Sequence, residues 1–184
     1  MNKIDLDVES RHWAINPLAG PIVLVTTVNA HGWVNIAPKS WVSFVSSKPF
    51  RLVLGCHREH HTAMNLLENG ECVINLPSDD LAQKVWNAHV PLLPSPDEPM
   101  VRGFATIPAV MVKPPRLVEC HAHMECLVDN VLAFGDTELA FILKLVAASV
   151  DESVLHANDP MADLRPIFYV APGTYGVVER GRQV

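Results

Sequence analysis

A succession of short apolar runs, each closed by turn-forming residues, most constrains how this chain folds. Residues 22–28 form a near-continuous β-branched and apolar run, the pattern of a strand buried on both faces. Asn29-Ala30-His31-Gly32 follows, so the chain turns and returns as a hairpin through residues 33–38. Residues 51–56 and 72–76 read as two further strands. Between them, residues 62–69 fit a short helix with Thr62 as its N-cap and Asn69-Gly70 as its stop. Ser78-Asp79-Asp80 opens another helix that reaches Ala88. Residues 89–99 hold four prolines and read as an extended loop within the domain, because strand patterns resume soon after. Residues 117–133 and 137–150 are a long strand pair around Phe134-Gly135-Asp136. The proline-containing segment 159–176 wraps the barrel or a neighbouring subunit. Many short strands with few helices make a mainly β protein. The expectation is an antiparallel barrel of roughly six to seven strands, a single domain over the whole chain.

Composition narrows the function classes. With 184 residues, 49% of them hydrophobic, the chain suits one domain that buries roughly 70% of its unfolded surface. Only 18% of residues are charged, below the usual ~25%, which points to apolar surface hidden against a partner subunit. The formal net charge of −6 and the lack of a Lys/Arg run argue against a nucleic-acid groove. No apolar run approaches the ~20 residues that span a bilayer, and residues 1–11 lack a signal-peptide core. The cysteines at 56, 72, 120 and 126 form no C-x-x-C pair and read as reduced thiols. Cytoplasm is the expected location.

Unusual polar residues gather at two places: Ala37-Pro38-Lys39-Ser40-Trp41, and Cys56-His57-Arg58-Glu59-His60-His61-Thr62. A helix start offers free N–H groups and the positive end of the dipole. Arg58, His61 and Thr62 precede or open the expected helix and so converge on one anion. The plainer reading makes Thr62 only a cap and Arg58 only a surface charge. Pro38 lacks an N–H, which weakens regular strand pairing beside it. Trp41 and Phe44 also have a plain reading, as core aromatics of a strand. His121 and His123 share a strand face, while Cys120 and Cys126 would face the other side, so no metal set converges. No G-x-S-x-G elbow, G-x-G-x-x-G fingerprint or P-loop occurs.

The ordered residues Pro21 to Thr27, Asn35, Ala37-Pro38, Ser40-Trp41 and Val45-Ser46-Ser47 run into a second set: Arg58, His61, Thr62, Asn65, Gly70-Glu71 and Asn75-Leu76-Pro77. Together they resemble the flavin reductase-like branch of the FMN-binding split-barrel proteins, which includes flavoredoxins and NAD(P)H:FMN oxidoreductases. The resemblance implies a Greek-key split β-barrel with a few peripheral helices, a homodimer, and FMN as cofactor. It implies that Pro38, Lys39, Ser40, Trp41, Ser43, Val45, Ser46 and Ser47 form the flavin-facing wall. Cys56 and His57 complete the set, with Arg58, His61 and Thr62 at the phosphate.

One departure bears on the reaction. Many NAD(P)H-using relatives carry Gly-Asp-His on the second half of the barrel, followed by a glycine-containing strand. This chain reads Gly135-Asp136-Thr137, with Leu143 near the expected glycine. Three functions follow as expectations. One is an FMN-dependent oxidoreductase that passes electrons from NAD(P)H to flavin or another acceptor, such as a redox-protein partner. Another is a flavoredoxin-like electron carrier without NAD(P)H oxidase activity. The last is a binding relative with an altered pocket.

Overall fold

In the computed structural model, residues 18–181 are described; the reading of residues 1–11 lies outside them. In the first part of the chain, β1 (Gly20–Pro21), β2 (Val23–Val28), β3 (Val34–Lys39), β4 (Val42–Ser47) and β5 (Phe50–His57) precede α1 (His61–Asn69) and β6 (Glu71–Leu76). A single 3₁₀ turn at Asp79–Leu81 leads into α2 (Ala82–Asn87) and α3 (Glu98–Val101), then β7 (Thr106–Ile107) and β8 (Arg116–Leu117). The long hairpin of β9 (Ala122–Phe134) and β10 (Glu138–Val150) follows. The described chain closes with α4 (Glu152–Leu155), α5 (Pro160–Leu164), β11 (Ile167–Ala171) and β12 (Thr174–Val177).

Seven strands form one sheet in the order β3-β2-β6-β9-β10-β5-β4, and β1, β11 and β12 form a smaller one. Neighbours in both sheets pair antiparallel. The chain is therefore a mainly β split barrel, and its large sheet has seven strands, within the six to seven the sequence predicts. No helix among the described residues is long and apolar enough to cross a membrane.

Alternation along β2 sorts its side chains into two layers. Val23 and Val25 enter an inner cluster with Leu52, Leu54, Ile74 and Phe141. Leu24 joins an outer cluster with Ile36, Val85, Leu117 and Ile167. Every residue of β2 is buried, as the unbroken apolar run requires. The Asn29 turn forms as read, its Oδ1 accepting the His31 and Trp33 N–H groups, each at 3.0 Å.

Helix α1 connects β5 to β6, which are not neighbours in the sheet, and buries Ala63 and Leu66 in the inner cluster. Gly70 ends it with φ of 69°, its N–H donating to the Leu66 carbonyl. At the other end the expectation fails. His60 occupies the N-cap with extended backbone, two residues before the expected cap, and Thr62 lies inside the first turn. The Thr62 hydroxyl is buried and accepts from Asn35 Nδ2 at 3.3 Å. Asn65 Nδ2 donates to Thr27 Oγ1 at 2.9 Å. These motif residues seat the helix on β2 and β3.

Edge strand β3 is covered by α3. Glu98, 2% exposed, accepts from the Ile36 N–H at 3.0 Å and from Arg102 Nε at 2.8 Å. A paired, covered edge offers no free ladder to another chain.

Candidate functional site

The two edges of the large sheet, β3 and β4, are consecutive in sequence. The chain must therefore pass from one edge to the other through Ser40 and Trp41, which form the seam of the barrel. The Gly55 N–H donates to the Trp41 carbonyl at 2.8 Å, tying the seam to β5. A Cβ at Gly55 would stand 2.9 Å from the Trp41 ring, so only glycine lets the indole lie there. Trp41 is 62% exposed and Phe44 57%. Their reading as core aromatics is overturned, because the seam and β4 lie at the sheet's edge.

Pro38, Lys39, Ser40, Trp41, Cys56 and His57, all expected at the site, line one cleft of about 330 Å³ together with Gly55, His60 and Glu138. A second hollow of about 280 Å³ continues from Pro38 and Lys39 past His60 to His61 and Thr62. Ser43 lines a third, with Trp41 and Gly55. Val45, Ser46 and Ser47 lie further along β4. Ser47 pairs with Phe50, at the end of β5 opposite to Cys56 and His57. The structure does not bring these three into the cleft.

Electrostatics within the cleft centre on His60. Lys39 Nζ lies 3.2 Å from His60 Nδ1, and Cys56 Sγ lies 3.7 Å from the same nitrogen. An ammonium only donates, so Nδ1 accepts and the ring is neutral. Burial, then the Lys39 ammonium and His57, hold the His60 pKa below its ordinary value. Burial pushes the Cys56 thiol up, against the pull of Lys39. Cys56 is therefore a protonated thiol at neutral pH, not a ready nucleophile.

The β9–β10 turn comes to this same corner. The exposed Arg58 donates its backbone N–H to the Thr137 carbonyl at 2.7 Å, and Glu138 pairs with His57. Thr137, which stands in place of the motif histidine, thus lies beside the polar cluster that opens α1. Sequence reasoning misses Gly55, His60 and Glu138. The His-rich run offers a signal for His60, three residues after His57. Only the register of β10 on β5 brings in Glu138.

The histidines 121 and 123 go elsewhere. His121 precedes β9 and its Nδ1 lies 2.7 Å from Asp151 Oδ2. His123 Nε2 lies 2.8 Å from the Leu117 carbonyl. Cys126 faces the inner cluster, but Cys120 lies before β9 and joins the outer one, so strand parity does not govern it. Among the described residues no group of three or more His, Cys, Asp or Glu could hold a metal ion.

The chain is 31% identical over 170 residues to an uncharacterized protein of Halalkalibacterium halodurans, covering 86% of this chain and 81% of that one. Its fold is similar to nitrilotriacetate monooxygenase component B from Bacillus cereus, with a TM-score of 0.88, 20% identity, and coverage of 100% and 98% of the two chains. A flavoredoxin from Methanosarcina acetivorans is also similar, with a TM-score of 0.82, 23% identity, and coverage of 100% and 95%. Residues 15–171 match the family model described as the flavin reductase like domain. That match spans most of the chain, and the chain belongs to the flavin reductase-like family.

Proposed function

We propose that the chain binds FMN in the cleft at the barrel seam and acts through it as an oxidoreductase. The observation that carries this reading is the meeting of residues 38–41 with residues 55–57 and His60 around one cleft. The residues present fit a flavin. Glycine at 55 leaves the Trp41 indole a flat bed, and Lys39 contributes a positive charge beside polar backbone. Pro38 to Trp41, with Cys56 and His57, would hold the ring. Arg58, His61 and the free N–H groups opening α1 would hold the phosphate.

Bound FMN supplies the redox chemistry, accepting a hydride and releasing electrons singly or in pairs. The protein's part is orientation and charge. Lys39 favours negative charge in the cleft, and neutral His60 fixes the direction of that ammonium. No side chain has to serve as a nucleophile, consistent with a protonated Cys56.

NAD(P)H as direct donor is the first form of this proposal. Thr137 favours a second, a flavoredoxin-like carrier reduced by another redox protein, because many relatives that use NAD(P)H have histidine in that motif position. A homodimer belongs to the same proposal, supported by the exposed Phe44, Val45 and Phe50.

FMN should co-purify or bind on addition, in preference to riboflavin. A charge-assisted hydrogen bond contributes ~1.5–3 kcal/mol, so Arg58→Ala should weaken FMN about ten- to hundredfold. A change below about twofold puts the phosphate elsewhere, and no FMN binding at all ends the proposal. Steady-state NADH or NADPH oxidation near ~10 s⁻¹ by the FMN-loaded protein would select the first form.

A further inference from the structure

A further cleft, of about 400 Å³, shares the Pro38–Lys39–Ser40 wall with the seam cleft but opens between α2 and the small sheet. Trp86 of α2, Tyr169 of β11 and Tyr175 of β12 all line it. Trp86 and Tyr175 remain 43% and 47% exposed, so their rings are open to an occupant. The rest of the lining is mainly apolar, including Ile22, Val85 and Ile167.

We propose that this cleft is a second ligand site that takes a flat, uncharged aromatic compound bearing a hydroxyl group. Its volume lies at the small end of ligand sites, too little for a dinucleotide. Aromatic rings contributed by three elements favour a planar π-system through offset or edge contacts. The lining holds no arginine and no carboxylate. Its one lysine, Lys39, directs Nζ to His60 on the seam side, so a phosphate or carboxylate finds no free cation here. His89 supplies the polar end. Its Nδ1 meets the Trp86 carbonyl, which only accepts, so Nδ1 carries a proton and Nε2 is the ring nitrogen left for an occupant. A ring nitrogen beside aromatic side chains suits a hydroxyl group, which both donates and accepts. That this occupant would neighbour a bound flavin rests on the FMN proposal; its binding does not.

The test uses the full chain, with and without FMN, and three probes: 2-naphthol, decahydro-2-naphthol and 2-naphthoate. Binding is followed by saturation-transfer NMR and calorimetry. 2-Naphthol should saturate, and the puckered alcohol and the carboxylate should each bind about tenfold more weakly. Trp86→Leu and Tyr175→Ala should each weaken 2-naphthol about fivefold. FMN affinity should stay within about twofold in both variants, since neither residue lines the seam cleft. Equal binding of the flat and puckered alcohols overturns the proposal. So does wild-type 2-naphthol affinity in both variants, or no saturation at millimolar probe. FMN failing to bind while 2-naphthol still binds would sink the FMN reading and leave this one standing.

Discussion

Lys39, His60 and Cys56 form a short chain of contacts on one nitrogen: the ammonium at 3.2 Å and the thiol at 3.7 Å from His60 Nδ1. Protonating that nitrogen would break the Lys39 contact and place two positive charges together, although the thiol sulfur still accepts from the new N–H. Burial, Lys39 and His57 accordingly lower the His60 pKa. Replacing Lys39→Met removes one of these causes and should raise the His60 pKa, read from the pH titration of its ring proton by NMR. An unmoved midpoint would mean that burial and His57 set it without Lys39. The sign for stability follows. With a folded pKa below its unfolded value near ~6.5, His60 contributes stability above that pH, which is lost as pH falls towards the folded value.

At the scale of elements, β9 anchors the loop before β8 through one carboxylate. Glu125 is fully buried and accepts from Val110 N–H at 2.9 Å, Met111 N–H at 2.6 Å and Arg116 Nε at 2.8 Å. Burial raises its pKa, but the Val110, Met111 and Arg116 bonds outweigh that, and the net shift is downward. Glu125→Ala leaves the partly buried Arg116 and two N–H groups without their partner and should cost about 3–5 kcal/mol in chemical denaturation at pH 7. The carboxylate's contribution is complete above ~4.3, the unfolded glutamate value, and is lost as pH falls through the lower folded value. The gap between wild type and Glu125→Gln should therefore shrink on acidification; a constant gap would contradict the downward shift. The β9–β10 turn makes a second prediction. Thr137→His restores the histidine at the Arg58 corner and should raise NAD(P)H oxidation by the FMN-loaded protein. A rate equal to wild type, with FMN still bound, would mean that residue 137 does not limit donor use.

Across the whole molecule, low charge and an exposed aromatic edge belong together. Phe44 and Phe50 are 57% and 52% exposed, with ring centroids 6.1 Å apart in an edge-to-face pair. Val45 adds to the same hairpin. Apolar groups clustered on an edge strand mark an interaction surface. Sedimentation at micromolar concentration should give a dimer, and Phe44→Asp with Phe50→Asp should give a monomer that keeps its β-sheet circular dichroism. A monomeric wild-type protein would overturn the assignment.

How much is legible in the sequence depends on how local each feature is. The buried run of β2, the Asn29 turn, the Gly70 stop of α1 and the long β9–β10 hairpin follow from preferences of a few adjacent residues, and all can be read directly. The family motifs likewise pick out residues 38–41 and 56–58 from the order of side chains alone. Thr62 reads as a cap because a threonine before an apolar run is equally suited to capping and to burial. The partner that decides, Asn35, lies 27 residues away. Trp41 and Phe44 admit a core reading because aromatic composition does not tell an edge strand from a central one. Glu138 reaches the cleft only through its register on His57. Local chemistry sets which segments become strands and turns. Which edges meet, and hence where the seam and its cleft lie, is set by barrel closure, a sum of many weak contacts between distant residues.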